Sequence, residues 1–561
     1  MTLKNRQDFV HLHNHLEGSY SDSILRVTRA LDRVKELGMS AFAVTDHGDL
    51  SIIPKFVREA LQRGIKPILG MEAYFVEDAE ENIRRRINNR NHLTLIAQNN
   101  EGWKNLVTIA SLSWKDNCLM HKLGLVDWKL LEKYNGGLLC LSGCLAGPLG
   151  WSIKENKLEE ADRFYGLFSD LFGDRFFIEV YNHGMEEEKK AAAGLCEIAG
   201  RYGRKAVLAN DCHYQFKDEW LMHDTVIKTR FGKATEFELK QHEYYVKSAE
   251  EMRSLGFPSE YCDATIEIAD IIELNPEKIF DTSSNGKLEY VFLGKTKPLS
   301  LKKAFEKAAS ALRLSSSEQH RISSLPEKEI EEKYPEVASI AKGIFGLPQK
   351  PEPDLAIAVR APGLFSKIPV RRAENAVFTM WSEEECRACG AEILPIEKVP
   401  ELIHVSKSLN AFIRGLEAQR KRKFDLAKKS FKESIELDPD FMNARYNLAL
   451  CNFYSGNYEN AISLLEGIIE REPYFERMPH LYSYLGWCNF HLGKYEESIS
   501  LFQRSLDEKE ISGSLLGKGL CLEQLGRIEE ARTVLLRMVE IAPDDSKIEE
   551  AHNALERIAK L

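Results

Sequence analysis

Phe9-Val10-His11-Leu12-His13-Asn14-His15 decides how the first half of this chain reads. In an extended segment side chains alternate between faces, so His13 and His15 turn both imidazoles to one side. Working outward, apolar runs recur at Ala41–Val44, 67–69, 93–97, 137–141, Phe176–Val180 and 206–209. Thr45-Asp46-His47-Gly48 ends the second run and Met71-Glu72 closes the third. His92 opens the fourth, Ser142-Gly143-Cys144 follows the fifth, and Asp211-Cys212-His213 ends the seventh. Asp22 lies in the loop after the first run, and the sixth run reads as carrying no ligand type. Amphipathic stretches at 23–37, 53–63, Leu158–Phe172 and Glu186–Arg201 separate the runs. Strands alternating with helices imply βαβ units. Seven strand candidates within residues 9–209 predict an α/β fold, a TIM-like (βα)7 barrel made irregular by its unequal fourth and fifth connections.

In such a barrel the strand C-termini and the loops after them meet at one mouth. His92 is the exception: its strand must begin near the mouth or run reversed. Imidazole, carboxylate and one thiolate together suit Zn²⁺, Mn²⁺ or Fe. One histidine alone reads as a hydrogen-bonded structural residue, but nine ligand-type groups timed to strand ends exceed the needs of one ion. Two or three divalent ions are expected, with carboxylates bridging them.

These segments, with Asn91-His92-Leu93, Leu141-Ser142-Gly143-Cys144-Leu145-Ala146-Gly147 and Asn210-Asp211-Cys212-His213-Tyr214, resemble the PHP (polymerase and histidinol phosphatase) domain, in the form that opens bacterial DNA polymerase III alpha subunits. The likeness extends through Tyr244-Tyr245-Val246-Lys247-Ser248 and Glu250-Glu251-Met252 to about residue 275. It implies a metal ligand set of His13, His15, Asp22, His47, Glu72, His92, Cys144, Asp211 and His213. Leu16 departs from the pattern, which usually has threonine there; the change removes a hydroxyl that orients a ligand.

Residues 283–286 (Ser-Ser-Asn-Gly) read as a linker, 301–314 and 330–345 as helices, and the proline-rich stretch 346–369 as extended or turn-rich. This middle region faintly resembles the same polymerase at 301–326, 338–348 and 378–390. The polymerase palm carries a Pro-Asp-x-Asp-x-Asp strand; the nearest run here is Pro353-Asp354-Leu355-Ala356-Ile357-Ala358, with alanines where later aspartates belong. Without paired carboxylates for two Mg²⁺, polymerase activity is not expected.

The last third repeats. Ala427, Ala461, Ser498 and Ala531 share a register at spacings of 34, 37 and 33 residues. Twelve positions earlier stand Gly415, Ala449, Gly486 and Gly519, and twelve later Pro439, Pro473 and Pro543, with Glu510 breaking the series. A period near 34 with small residues where paired helices cross resembles the tetratricopeptide repeat. Stacked pairs build an all-α solenoid with a concave surface for a protein partner. The expected domains are 1–280 (barrel), 281–400 (linker and small mixed region) and 401–561 (repeats).

The composition is that of an ordinary globular chain: 561 residues, 43% hydrophobic and 29% charged. A net charge of −10 excludes a generally basic nucleic-acid coat protein, although a nucleic acid can still be gripped locally. No run of 18 apolar residues occurs, so no membrane span is expected. The opening MTLKNRQDF lacks an apolar signal core, and eleven cysteines at irregular spacing suit a reducing compartment. A cytoplasmic location is expected.

The expected activity is metal-dependent hydrolysis of a phosphoester, by resemblance a 3′–5′ exonuclease acting on DNA ends. The alternatives are a small-molecule phosphatase and a non-catalytic scaffold whose barrel is stapled by metal. Arg84, Arg85, Arg86 and Arg90 before His92, with Lys228, Arg230 and Lys233 after the seventh run, are candidates for holding phosphates, and His183 for donating a proton. Cys386-Arg387-Ala388-Cys389 needs two further ligands to hold zinc, and only His404 offers one nearby. The basic run Gln419-Arg420-Lys421-Arg422-Lys423 reads as a solvated repeat loop, with phosphate or acidic-partner binding as its second reading.

Overall fold

Short, apolar, β-rich runs buried on both faces form the first sheet, as expected where helices cover a parallel sheet. The computed structural model describes every residue except 1–8, 120–122, 205, 230–240, 277–278, 280–287, 350–351, 363, 367, 374–375, 473–474, 476, 543–544, 546 and 561. The 283–286 linker, Arg230, Lys233, Pro351, Pro473 and Pro543 therefore lie outside the described residues. The strands are β1 Ala41–Val44, β2 Lys66–Phe75, β3 Asn91–Ala97, β4 Cys118–Leu119, β5 Leu123–Val126, β6 Leu138–Leu141, β7 Phe176–Val180 and β8 Ala206–Leu208.

Pairing runs β1–β2–β3–β6–β7–β8, and β3 is antiparallel to both of its neighbours. Residues 11–15 close the ring. The carbonyls of His11 and Asn14 accept from Ala43 and Thr45, and the His15 N–H donates to the Cys212 carbonyl at 2.8 Å. The ring has seven staves, in keeping with the barrel expected. The first stave pairs through single hydrogen bonds and the isolated bridge Asn14–Cys212 rather than as a regular strand. β4 and β5, unforeseen from sequence, form a hairpin continuing β2 at Tyr74–Leu125.

The middle residues build a second sheet from β9 Leu288–Lys295, β10 Glu352–Pro362, β11 Val370–Ala373, β12 Ala376–Thr379 and β13 Glu392–Pro395, in the order β11-β12-β9-β10-β13. β10 takes up the proline-rich stretch, with a register shift between Asp354 and Ala358. The helix expected at 330–345 divides into Glu327–Lys333 and Pro335–Ile344, because Pro335 disfavours helical backbone at Tyr334. Val291, Val359 and Trp381 join the barrel's own core, and the Trp381 indole N–H donates to the Leu50 carbonyl at 3.2 Å. Residues 1–83 and 87–395 form one compact unit. Cys386 and Cys389 are both buried in that core.

The second unit holds residues 396–561 with 84–86. Its helices pair as Pro400–Arg420 with Phe424–Leu437, Met442–Tyr454 with Tyr458–Arg471, Met478–His491 with Tyr495–Glu508, and Ser512–Gln524 with Ile528–Ile541; Ile548–Ile558 follows. Ala427, Ala461, Ser498 and Ala531 are fully buried. A Cβ on Gly415, Gly486 or Gly519 would come within 2.5–2.7 Å of Phe431, Phe502 or Leu535, so these positions set how closely each pair packs.

Candidate metal centre

The topology brings ligand-type side chains to one end of the barrel. His47, just past the end of β1, bridges to Glu72 inside β2, and the Gly48 N–H donates to the Glu72 carbonyl at 2.8 Å. Glu72 does not close its strand, as the sequence suggested; β2 runs on to Phe75 because β3 and β5 pair with its last residues. Since β3 runs reversed, its first residues lie at the mouth. Of the two expectations for His92, reversal is the one observed, with His92 opposite Tyr74. Gly143 then adopts φ +82°, and a Cβ there would stand 2.1 Å from the His92 carbonyl oxygen. That close approach brings Cys144 Sγ to 3.5 Å from His92 Nδ1. Asp211 takes a left-handed φ of 48°, which places Oδ1 3.1 Å from His15 Nε2.

Glu72 sits at the centre, fully buried. Its Oε1 lies 3.0 Å from His92 Nδ1 and 3.3 Å from His13 Nε2, and its Oε2 lies 2.7 Å from His47 Nδ1 and 3.4 Å from His15 Nε2. Asp22 Oδ2 is 2.6 Å from His47 Nε2, and the His15 and His213 rings stack at 4.6 Å. All nine residues expected as ligands come together here. Three sets, His15-His47-His213, His13-His15-Asp211 and His47-Glu72-His92, have ligand atoms close enough to hold metal ions.

Hydrogen bonding tests whether metal fits. Both Glu72 oxygens and Asp211 Oδ1 are buried and make no hydrogen bond, although imidazole nitrogens surround them. Burying such carboxylates uncompensated costs several kcal/mol per ion. Burial alone would push the His13 and His47 imidazoles down. Glu179 and Glu72 outweigh that for His13, as Tyr74 and Glu72 do for His47, and both are held well above the usual range. Charging the whole cluster with protons is unfavourable, because the His15 and His47 rings lie 4.1 Å apart and burial pushes His213 down to about 4. Divalent cations shared among these groups resolve the imbalance, so the donor set fits metal.

Residues around the cluster hold it in place. Glu179 on β7 touches His13 Nδ1 at 3.0 Å, as do Tyr181 at 2.7 Å and Thr94 at 3.1 Å. The sixth run thus contributes after all. Its signal was a lone glutamate in an otherwise apolar strand, a residue rarely buried without a partner. Ser19 Oγ lies 2.9 Å from His15 Nδ1 and donates to Asp46 at 2.7 Å, supplying beside His15 a hydroxyl of the kind missing at Leu16.

A cavity of about 670 Å³ opens over the cluster, walled in part by Tyr74, Arg90, Trp151, Lys154 and Tyr244. Arg90 lines it, not Arg84 or Arg86; Arg84 belongs to the short helix Ala79–Arg85 and Arg86 follows at φ 53°. Lys228 pairs with Asp224 at 2.7 Å. His183 lines the cavity with both ring nitrogens engaged, Nδ1 with Glu188 at 2.7 Å and Nε2 with the Asn210 carbonyl at 2.9 Å. His223, unnoticed in the sequence, also lines it, with Nε2 lacking a partner.

Residues 11–183 match the PHP domain family model. The barrel is a PHP domain. The DNA polymerase III alpha subunit of Thermus aquaticus is 34% identical over 286 residues, 49% of this chain and 23% of that protein. Its counterpart in Treponema pallidum is 35% identical over 263 residues, 45% of this chain and 22% of that one. The chain thus spans less than a quarter of these relatives' length, and the kinship is with their PHP region, a metal-dependent phosphoesterase fold. Residues 414–474, 453–514 and 510–546 match the tetratricopeptide repeat model. A crystal structure of MamA is 18% identical, covering 28% of this chain and 87% of its own at a TM-score of 0.24. No helix among the described residues is long and apolar enough to cross a membrane.

Proposed function

We propose that the PHP barrel is a multinuclear-metal-dependent phosphoesterase that trims DNA ends in the 3′–5′ direction. The observation that carries this reading is Glu72, whose two buried oxygens each face a different pair of imidazoles, the arrangement of a carboxylate that bridges ions. The ligands are His13, His15, Asp22, His47, Glu72, His92, Cys144, Asp211 and His213, and the ions two or three of Zn²⁺, Mn²⁺ or Fe. Bound there, the ions supply an acidified water and positive charge for phosphoryl oxygens.

The chain's own residues do the rest. Arg90 and Lys154 on the cavity wall hold phosphate oxygens. Trp151, partly exposed on the same wall, offers an indole on which a terminal base stacks. Glu179, Thr94 and Tyr181 fix the His13 ring, and Ser19 the His15 ring, so the ligands are oriented before substrate arrives. The cavity volume falls within the range of about 300–1,000 Å³ that holds small ligands, which suits a strand end rather than an intact duplex. The same enclosure favours a second reading, a phosphatase for a small monoester. Polymerisation is not expected, because Asp354 on β10 is followed by Ala356 and Ala358. The repeats take a protein partner, and the chain works in the cytoplasm.

The test is Mn²⁺-dependent digestion of a 5′-labelled single-stranded oligonucleotide, with His47→Ala as control. A ladder of shortened products, absent with the variant, is expected. An undigested strand with metal bound, alongside hydrolysis of p-nitrophenyl phosphate, would transfer the assignment to the phosphatase; neither activity would leave a metal-stapled scaffold.

A further inference from the structure

Four turns join the two helices of each repeat pair, and they share one backbone. In each, successive N–H groups return to carbonyls of the first helix: Lys421 to Glu417 and Lys423 to Ala418, as Ser455 to Cys451 and Asn457 to Asn452. The central residue lies five positions before the repeat anchor and is left-handed every time. Three turns place glycine there, Gly456, Gly493 and Gly526, at φ 72–74°. The first places Arg422, at φ 55°. A side chain is disfavoured at such a position, so local backbone preference does not account for this arginine.

Its neighbours are cationic too. Arg420, Lys421, Arg422 and Lys423 are all exposed, and among the described residues none has a carboxylate partner. Arg527 in the fourth turn, by contrast, pairs with Glu530 at 2.7 Å. Residues 420–432 hold seven lysines and arginines against one carboxylate, Asp425, in a chain whose net charge is −10. Directly after the turn, the Phe424 ring stacks 5.8 Å from that of Tyr454, which is half exposed.

We propose that this turn and the Phe424–Tyr454 pair form a binding site for single-stranded nucleic acid. Unpaired cations track the phosphates and the Tyr454 face stacks a base, the combination that grips single strands without reading sequence. The aromatic platform favours this ligand over an acidic peptide, which the cations alone would also attract. The proposal shares its ligand class with the reading of the barrel but none of its metal chemistry.

The test is fluorescence anisotropy of a labelled oligothymidylate with the full chain as purified, no divalent metal added, titrated across NaCl concentrations. The combined variant Arg420→Gln, Lys421→Gln, Arg422→Gly, Lys423→Gln is expected to bind at least about tenfold more weakly at low salt. Its salt slope should fall by roughly 0.7 for each phosphate that the variant no longer neutralises. Tyr454→Ala should weaken binding at least about fivefold with the slope unchanged. The combined variant should melt no lower than the parent, which separates a binding defect from a folding defect. No binding by the parent, an unchanged slope in the combined variant, or equally effective competition by polyglutamate would overturn the proposal. Hydrolysis of a dinucleotide with Mn²⁺, read separately, reports on the barrel alone.

Discussion

The PHP barrel mouth and the tetratricopeptide repeats solve the same packing problem over different distances along the chain. At the mouth, His13, Glu72, Cys144 and Asp211 meet although most of the barrel separates them in sequence. In the repeats each small residue meets a partner sixteen positions on, as Gly415 meets Phe431, Gly486 meets Phe502 and Gly519 meets Leu535. The mouth concentrates buried charge that only the complete set balances, so losing one member disturbs all. The solenoid spreads its stability over nearest neighbours, so a lesion should stay local.

The comparison breaks first at Glu72. Glu72→Gln keeps the shape but removes the shared carboxylate, and phosphoester hydrolysis should fall about 10³-fold, roughly 4 kcal/mol of barrier, in steady-state assays. A loss below tenfold would mean that Glu72 does not link the imidazoles through metal. Next comes Gly143→Ala, whose Cβ meets the His92 carbonyl at 2.1 Å with φ +82°. It should cost about 2–4 kcal/mol in the barrel's unfolding transition and weaken metal retention, since Cys144 must move.

Gly486→Ala tests the other side. The new methyl lies 2.7 Å from the Phe502 ring, and a cost of about 1–3 kcal/mol is expected in repeat unfolding, with barrel activity intact. Gly467→Ala, with nothing within 4 Å, serves as the control and should not destabilise. The smallest effect is Arg422→Gly, which should raise repeat stability by about 1 kcal/mol in denaturant melts, while Gly493→Arg lowers it by a similar amount.

The two regions also differ in what their sequence disclosed. The repeats were legible because each helix pairing is encoded locally: a small residue, a fixed interval, a bulky partner. The mouth was legible through its histidines, which are conspicuous at strand ends. Strand direction was not, because pairing with β2 and β6 is a long-range choice, and His92 allowed two solutions. Glu179 escaped notice since Phe176–Val180 reads as an apolar strand, and only the fold shows it beneath His13. Ser19 supplies a hydroxyl to His15, which the change at Leu16 had seemed to remove, from a loop whose path no periodicity predicts. Pro335, by contrast, marked a helix break that the apolar pattern around it had hidden.

We propose Glu72 and its surrounding imidazoles as one multinuclear centre. Its most direct test is metal content per chain by plasma mass spectrometry, for the full chain and for Glu72→Gln, each checked for intact fold by circular dichroism. Two or three ions per parent chain, with at least one lost in the variant, is the predicted result. One ion or fewer in the parent, or an unchanged count in Glu72→Gln, would contradict it.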